Sequence, residues 1–460
     1  MASRKNSKKH PTSEIPGTLR SWLDDNNIDE IEAVIPDMTG VAKGKILPAK
    51  KYEEEHGLRL PETIFAQTVD GNYPAQWDVL DNIDSDIFLK PDPATVRLVP
   101  FASDPSAVII HDCHYFDGRP VDIAPRQVLR KVLALYEARG WKPVVAPEVE
   151  FYLVKPNTDA DYPLEPPVGR SGRAESGRQA FSIDAVNEFD PLFEDLYDYC
   201  EIQEIGIETL IHEAGAAQME INLLHGNALD LADQVFLFKR GLREVAMRHQ
   251  IYATFMAAPM EREPGSAMHI HQSVVDIETG SNIFSNTRGN ESRLFRWYIG
   301  GLQKYLPAAT ALIAPNVNSY RRLAPDQWGT PINMAWGYDN RTAGLRIPIS
   351  TPASRRVENR IAGADVNPYL SMAASLACGY LGMIEQIKPS APATDNAYDD
   401  ESTLPHTLRE AVDELLDCEP LREILGDRFV RLFASIKHHE YNTFLNVISA
   451  WEREHLLLNV

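Results

Sequence analysis

The sequence "APEVEFYL" at residues 146–153 places two glutamates, Glu148 and Glu150, within an apolar run. Successive side chains of a β-strand point to opposite faces, so both carboxylates would lie on one face of a strand, and Val149 and Phe151 on the other. Two buried carboxylates on one face repel each other unless a cation lies between them. The spacing is therefore typical either of a strand with a solvated polar edge or of a strand that binds a divalent metal ion.

A second segment repeats this spacing with histidines. In "GSAMHIHQSV" (265–274), His269 and His271 are two positions apart on a strand-like run. Single histidines are usually ordinary core or surface residues, and a pair on one strand face is a weak metal signal by itself. Further charged side chains occur in "IETLIHEAGAAQMEINL" (207–223) and "TPASRRVENRIAGADVNPY" (351–369), namely Glu208, Glu213, Glu220, Arg355, Arg356, Glu358 and Arg360. A glutamate among arginines, taken alone, is most often a surface ion-pair cluster.

Together these segments supply carboxylates, histidines and arginines within otherwise apolar sequence. Carboxylate oxygens are the ligands that Mg²⁺ and Mn²⁺ prefer, and guanidinium groups bind phosphate and carboxylate oxygens in pairs. The inventory therefore favours phosphoryl transfer. The sequence contains no GxxxxGK[ST], GxGxxG, HExxH or GxSxG motif, which disfavours the commonest nucleotide-loop, metalloprotease and serine-hydrolase sites.

The composition limits the class of protein. The chain has 460 residues, and its formal net charge of −21 disfavours a nucleic-acid partner, which needs a concentrated basic surface. The four cysteines form no CxxC pair, so we expect a reducing, cytoplasmic location rather than a disulfide framework. The apolar stretch from Ser371 to Ile384 is shorter than the roughly 18 residues of a membrane span. We predict a buried helix there and no membrane partner.

The order of strand-like and helix-like segments predicts an α+β protein. We predict a solvated tail, a β-rich N-terminal domain and a catalytic domain, at residues 1–14, 15–118 and 119–460. Helical periodicity predicts helices over 126–139 and 229–249. C-terminal helices from Thr407 onward should be interrupted near Pro420 and around His438.

Eight blocks of this chain, in order, resemble glutamine synthetases from about Ile31 to the C-terminus. The blocks are "VDGNY" (69–73), "PEVEF" (147–151), "HEAGAAQMEI" (212–221), "GSAMHIHQS" (265–273), "NSYRRLAP" (318–325), "NRTAGLRIP" (340–348), "RRVENRIAGADVNPYL" (355–370) and "WE" (451–452). The resemblance implies an N-terminal β-grasp domain and a catalytic domain whose antiparallel sheet forms a bifunnel surrounded by helices. It also implies a homo-hexamer or homo-dodecamer with active sites between subunits.

The resemblance assigns roles residue by residue. It implies two to three Mg²⁺ (or Mn²⁺) ions per active site, the first held by Glu150, Glu213 and Glu220 and the second by Glu148, His269 and Glu358. It implies that ATP, the co-substrate, is bound by Glu208, His271, Ser273, Arg341, Arg346 and Arg356. It implies that glutamate is held by Gly265, Arg322 and Arg360. Asp70 matches the family's carboxylate that binds ammonium and takes its proton, and Arg341 would stabilise the transferring phosphoryl group.

The chain departs from ammonia-using members of this family at three positions. The loop after Arg322 has Trp328 and Gly329 where those members carry a glutamate that closes the site and helps to hold ammonium. Tyr73 replaces a serine, and Pro264 replaces an asparagine near the glutamate α-carboxylate. Loss of an anion disfavours a small bound cation, whereas aromatic side chains favour an alkyl or aromatic amine. We therefore expect an amine pocket formed by Asp70, Tyr73 and Trp328.

These features favour a ligase that joins glutamate to an organic amine through γ-glutamyl phosphate, similar to the γ-glutamylpolyamine synthetases. The amine would be a polyamine or an alkyl or aromatic monoamine. The alternative within the same chemistry is a glutamine synthetase that uses ammonia, in which Trp328 and Tyr73 only pack the loop. A third alternative is an inactive structural or regulatory family member. All six metal-ligand positions are filled, which disfavours it.

Overall fold

The computed structural model describes most of the chain. The described residues are 16–54, 58–74, 79–80, 83–325, 329–399 and 402–460. The predicted tail at residues 1–14 lies outside them, and so does Trp328.

The strands form two sheets. The strands are β1 (Glu30–Pro36), β2 (Ala42–Pro48), β3 (Leu58–Pro61), β4 (Asp86–Pro91), β5 (Arg97–Leu98), β6 (Ser106–His114), β7 (Trp141–Val154), β8 (Ile207–His212), β9 (Gln218–Leu223), β10 (Gly226–Asn227), β11 (Tyr252–Thr254), β12 (Met268–Asp276), β13 (Trp336–Tyr338), β14 (Leu345–Ile347) and β15 (Val357–Asn359).

Helices flank both sheets. The α-helices are α1 (Gly17–Asp25), α2 (Ala49–Glu54), α3 (Pro125–Glu137), α4 (Ile183–Asn187), α5 (Asp190–Ile202), α6 (Ala228–Arg248), α7 (Arg293–Tyr305), α8 (Thr310–Ile313), α9 (Ser319–Arg322), α10 (Pro368–Glu385), α11 (Leu408–Asp417), α12 (Glu419–Leu425), α13 (Asp427–Phe444) and α14 (Ala450–Leu456). Helix α2 contacts β1 and β2 of the N-terminal sheet.

The N-terminal sheet has the strand order β2-β1-β6-β4-β3, with β5 also paired to β6. Strands β1 and β2 form an antiparallel hairpin, and β6 lies parallel to β1. The Asp37 carboxylate accepts hydrogen bonds from the backbone N–H groups of Thr39 and Val41 at 2.9 Å each, and Gly40 adopts a positive φ of 82° that favours glycine. These contacts form the hairpin turn between β1 and β2.

The second sheet has nine strands in the order β13-β14-β15-β12-β7-β9-β8, and β10 and β11 also pair with β7. Except for the parallel β13–β14 pair, its pairings are antiparallel. Strand β7 carries the "APEVEFYL" sequence and pairs with both β12 and β9. The two central neighbours of β7 are therefore the strands that carry the predicted histidines and Glu220.

The long helices agree with the sequence expectations except at one point. Helices α3 and α6 occupy the segments with helical periodicity, and α10 is buried on nearly every face, which explains its apolar run. No helix in the described part of the chain is long and apolar enough to span a membrane. The chain is interrupted between α11 and α12, as expected near Pro420, but the expected break at His438 is wrong. Helix α13 continues through it, because the imidazole points to Asp413 on α11, with Nε2 and Oδ1 2.9 Å apart.

A buried ion-pair cluster joins the N-terminal sheet to the helices beside the second sheet. Arg126, at the start of α3, is 3% exposed and lies 2.7 Å from carboxylate oxygens of Asp92, Asp112 and Asp233. A buried guanidinium retains its charge only when acceptors surround it in this way. The apolar residues of both sheets also belong to one continuous core. The predicted α+β architecture is confirmed, whereas the boundary at residue 118 stays a prediction.

Candidate active site

Strand register builds an acidic site on one face of the second sheet. Glu148 on β7 lies directly opposite His269 on β12, and Glu150 lies directly opposite Glu220 on β9. One strand further, His271 on β12 lies opposite Glu358 on β15. Side chains in opposite positions of an antiparallel pair point to the same face. The register therefore gathers carboxylates and imidazoles from four neighbouring strands.

The first cluster consists of three glutamates. Glu150 and Glu220 lie on strands, Glu213 lies on the turn between β8 and β9, and one carboxylate oxygen from each is within 4.8 Å of the others. Burial, and then the neighbouring Glu213, raise the pKa of Glu150 to about 8. Burial and the surrounding carboxylates raise the pKa of Glu220 well above its usual range. Such a cluster is stable in its ionised form only when a cation lies among the oxygens, so a divalent metal ion fits it.

The second cluster overlaps the first. Ligand atoms of Glu148, His271 and Glu358 lie within 4.8 Å of one another, and so do those of Glu148, Glu220 and His269. The His269 Nδ1 atom is 3.2 Å from a Glu148 oxygen and 3.7 Å from a Glu358 oxygen. Burial and then Arg360 lower the pKa of His269 to about 4, so the ring is neutral and can act as a metal ligand. The structure thus brings the six predicted ligands together and adds His271.

Two arginines keep Glu358 ionised. Burial favours the neutral acid, but the charge of Arg360, ahead of the neighbouring His271 and His269, outweighs it and lowers the Glu358 pKa to about 2. Arg360 donates to one carboxylate oxygen, and Arg346 donates to the other at 2.7 Å. Arg346 also donates to Asp339 at 2.7 Å. The predicted phosphate-binding Arg346 is therefore engaged with the metal cluster in this structure.

A cavity of about 440 Å³ adjoins Glu148. Four of the six predicted ATP residues line it, namely Glu208, His271, Ser273 and Arg356. Arg356 Nε donates to His271 Nδ1 at 3.1 Å, so the ring donates from Nε2 to Glu148 at 2.9 Å. Valine, leucine and alanine side chains line part of the remaining wall, together with polar residues that include Asn222, His225 and Gln272. The cavity thus combines an apolar portion, suitable for a nucleobase, with a cationic and metal-binding end.

The other two predicted ATP residues lie outside this cavity. Arg346 contacts Glu358, as described, and Arg341 lines a separate surface cavity with Asp339 and Asn396. Arg341 is exposed, but its charge opposes the rise in the pKa of Glu213 that burial causes. It is therefore close enough to the first cluster to interact with it.

The predicted glutamate-binding residues are neighbours. A Cβ atom on Gly265 would lie 2.6 Å from Arg322 Cγ, so only glycine permits this approach. Arg322 is buried and donates to the backbone carbonyls of Arg360 and Ile361 at 3.0 and 2.7 Å. Among the described residues, the Nε atoms of Arg322 and Arg360 are buried and have no hydrogen-bond partner. Unpaired guanidinium donors of this kind fit a site for an acidic substrate.

The family model of the glutamine synthetase catalytic domain matches residues 122–456. The chain belongs to the glutamine synthetase family. It is a carbon–nitrogen ligase of that family, whose members use ATP and divalent metal ions.

Curated relatives in this family cover nearly the whole chain. Gamma-glutamylputrescine synthetase of Escherichia coli (strain K12) is 34% identical over 94% of this chain and 92% of its own length. Glutamate–isopropylamine ligase of a Pseudomonas species is 32% identical over 94% of this chain and 96% of its own. A glutamine synthetase of Pyrococcus horikoshii is 33% identical over 91% of each chain. The relatives therefore include enzymes named for organic amines and enzymes named for glutamine.

The fold agrees with solved structures of this family. The complex of GmaS with ADP has a TM-score of 0.82 to this chain at 28% identity, and the match covers 95% of this chain and 99% of that one. The α+β fold with a β-grasp N-terminal sheet and a bifunnel-type catalytic sheet is as the sequence predicted.

Asp70, a residue of the predicted amine pocket in this glutamine synthetase-family chain, does not line the cavity beside Glu148. Asp70 is on an exposed turn, where hydrogen bonds from Thr68 and Asn72 lower its pKa. It lines a cavity of about 380 Å³ that includes none of the predicted metal or ATP residues. Tyr73 accepts a hydrogen bond from Gln67 at 3.1 Å, and Trp328 lies outside the described residues. Within one chain, Asp70 and Glu148 therefore line different cavities.

Several residues that support the site were not identified from the sequence. Asn222 lies opposite Glu148 on β9 and donates to it at 3.2 Å, and Gln218 donates to Glu150 at 3.3 Å. Both are two positions from Glu220, so the same strand spacing that identified the glutamates would have placed them on the site face. Glu175, which contacts the turn of Glu213, had no such signal.

Proposed function

We propose that this enzyme joins glutamate to an organic amine, with ATP hydrolysed to ADP and phosphate. The observation that carries the proposal is the loop after Arg322, where Trp328 and Gly329 replace the glutamate with which ammonia-using members hold ammonium. The relatives named for putrescine and isopropylamine support it. Removing an anion weakens binding of a small cation, and aromatic side chains compensate only when the amine carries an organic group.

The acidic clusters would hold two or three divalent ions, Mg²⁺ or Mn²⁺. Glu150, Glu213 and Glu220 hold the first, and Glu148, His269 and Glu358 hold the second. Bound ions at these positions supply positive charge to phosphate oxygens. Glu208, His271, Ser273 and Arg356 surround the nucleotide in the 440 Å³ cavity, while Arg341 and Arg346 stabilise the transferring phosphoryl group.

The reaction has two steps. Gly265, Arg322 and Arg360 hold glutamate, and one oxygen of its side-chain carboxylate attacks the γ-phosphorus of ATP. The bond between the γ-phosphorus and the ADP oxygen breaks, and γ-glutamyl phosphate forms. The amine nitrogen then attacks the acyl carbon, the bond to the phosphate oxygen breaks, and an amide and inorganic phosphate result. Asp70, an anion on an exposed turn, attracts the ammonium form and accepts its proton.

Asp70 serves the active site of a neighbouring subunit in this proposal. Its exposure and its place in a cavity other than the one beside Glu148 support a homo-hexamer or homo-dodecamer whose sites are shared between subunits. Tyr73 and Trp328 would then line the amine pocket beside Asp70. The cytoplasmic location stays a prediction from cysteine usage.

A phosphate-release assay tests the proposal. Purified protein is given Mg²⁺, ATP and glutamate with a panel of monoamines, diamines, polyamines or ammonia, each at equal concentration. We expect phosphate release to require both glutamate and an organic amine. Equal turnover with ammonia alone would favour the glutamine synthetase alternative, and no turnover with any amine would favour the inactive one.

The Trp328→Glu variant separates the first two alternatives independently. If the missing anion determines amine preference, the variant should increase ammonia-dependent turnover relative to the wild type. If Trp328 only packs its loop, the substitution should leave ammonia use unchanged or lower it. The Tyr162→Phe variant, at an exposed tyrosine outside the proposed amine pocket, is the control.

A further inference from the structure

The turn that carries Glu213 is held by side chains from three parts of the chain. Three consecutive backbone N–H groups donate to three different side chains: Gly215 to Gln218 at 2.9 Å, Ala216 to Glu263 at 3.2 Å and Ala217 to Glu175 at 2.7 Å. Ala217 adopts a positive φ of 56°, which costs a non-glycine residue free energy unless its surroundings fix it. These side-chain hydrogen bonds therefore fix the conformation of the turn.

Glu175 makes a second contact with this turn. The oxygen that accepts from Ala217 also lies 3.1 Å from Nε2 of His212, and Nδ1 of His212 lies 2.6 Å from the backbone oxygen of Glu213. A carboxylate and a carbonyl are both acceptors, so both ring nitrogens donate and the imidazole is cationic. His212 is 1% exposed. Glu175 therefore binds both ends of the turn, one through the buried ring and one directly.

This support matters because Glu213 differs from the other ligands. Glu150 and Glu220 are fixed by pairing between β7 and β9. Glu213 follows the last residue of β8, and its backbone N–H donates to Gln218 at 2.8 Å, at the point where the ladder between β8 and β9 ends. The remaining oxygen of Glu175 is buried and has no hydrogen-bond partner among the described residues. A buried carboxylate kept in this condition is costly, which indicates a role beyond packing.

We propose that Glu175 is a positioning residue for the first metal ion. By accepting from Ala217 and His212, it fixes the turn and holds the Glu213 carboxylate where it faces Glu150 and Glu220. The inference rests on the proposed function, since it assumes that these three glutamates hold a cation. Groups that support metal ligands from behind typically change metal affinity about 10- to 100-fold when they are removed.

Titration with Mn²⁺ in the absence of nucleotide, followed by calorimetry and by electron paramagnetic resonance, tests this role in the full-length protein. Wild type, Glu175→Gln and Glu165→Gln are compared. Glu165 is the matched control, because it lies in the same loop but is exposed and pairs only with Lys155 in the described contacts. Glu150→Gln identifies which binding class belongs to the first cluster.

We expect Glu175→Gln to weaken that class about 10-fold or more and to leave the other class and the control unchanged. Glu175→Asp keeps the charge but is one methylene shorter, so its Mn²⁺ affinity should lie between those of wild type and Glu175→Gln. This variant also covers the case in which Glu175→Gln does not fold. Unchanged Mn²⁺ affinity in Glu175→Gln would overturn the inference. Equal weakening of both Mn²⁺-binding classes together with a lower melting temperature would also overturn it, because such a result is a merely structural effect. Absence of Mn²⁺ binding to the wild type would overturn the proposed function as well.

Discussion

The two halves of the proposed active site are built differently. The metal half lies on paired strands, where register alone places Glu148 opposite His269 and Glu150 opposite Glu220. The amine half depends on Asp70, which is on an exposed turn. The first half is complete within one chain, whereas the second is presented at the surface. The difference agrees with the proposal that a neighbouring subunit completes the amine half.

The exposed turn is nevertheless anchored. The backbone N–H of Val69 donates to Glu440 on α13 at 2.7 Å, and Lys437 donates to the other oxygen of Glu440 at 2.7 Å. Lys437 is only 1% exposed, so this ion pair lies in the interior and cannot move freely. Asp70 is thus held at a defined place on the surface, as the proposed action in a neighbouring subunit requires.

The largest effect is expected in the metal half. Glu220→Gln removes a charge from the first cluster, and we expect amine-dependent phosphate release to fall roughly 10³-fold, because the phosphoryl oxygens lose cationic stabilisation. Steady-state kinetics with saturating Mg²⁺ measures this. Glu201→Gln, at an exposed carboxylate outside both clusters, is the control. Retention of more than a tenth of wild-type activity would contradict the assignment of Glu220.

The next effect is expected in the amine half. Asp70→Asn should lower amine-dependent turnover about 10²-fold, since the base is lost, but Mn²⁺ affinity should not change. The two measurements together separate the halves. A variant that also loses Mn²⁺ would show that Asp70 belongs to the metal site of its own chain.

Mixed oligomers test whether the halves come from different chains. Glu220→Gln and Asp70→Asn protomers, unfolded together and reassembled, should recover activity that neither has alone, because some sites receive an intact half from each chain. The control is the same mixing of each variant with itself. If one chain holds a complete site, mixing should restore nothing.

A smaller effect is expected from pH. In the metal-free protein, an acid whose folded pKa is raised opposes folding increasingly as pH rises from its unfolded pKa towards its folded value. For Glu150 that folded value is about 8. A bound cation removes this penalty, so the rise in melting temperature that Mg²⁺ causes should be greater at pH 8 than at pH 6. A rise that is greater at pH 6 would contradict the metal assignment.

The smallest effect is expected at the side chain that orients Asp70. Asn72 donates to Asp70 at 2.9 Å on the exposed turn. Loss of one such hydrogen bond costs about 1 kcal/mol, so Asn72→Ala should raise the KM for the amine about fivefold. The KM for ATP should not change. A larger rise in the KM for ATP than for the amine would place this turn at the nucleotide instead.

Much of the metal half could be predicted from the sequence. The two-residue spacing of Glu148 with Glu150 and of His269 with His271 requires only strand periodicity, and the family blocks supplied the remaining ligands. Register could not be predicted, because it depends on pairing between strands far apart in the chain. Glu175 was missed for the same reason, since its contacts with His212 and Ala217 are tertiary.

The amine half was less predictable. The sequence identified Asp70 and Tyr73 by resemblance, but only the structure shows that Asp70 and Glu148 line different cavities. The expected break of α13 at His438 failed because its imidazole finds a partner on α11, which local sequence does not reveal. Local sequence patterns predicted the secondary-structure elements and the types of metal ligand. Tertiary contacts determined which side chains lie next to one another.

A competition experiment tests the central claim most directly. Wild-type enzyme receives Mg²⁺, ATP and glutamate together with ammonia and the most active amine of the panel at equal concentrations, and both products are quantified by mass spectrometry. The account predicts that the γ-glutamyl amide of the organic amine exceeds glutamine at least about tenfold, which corresponds to about 1.4 kcal/mol of discrimination in the transition state. Glutamine as the main product would contradict it.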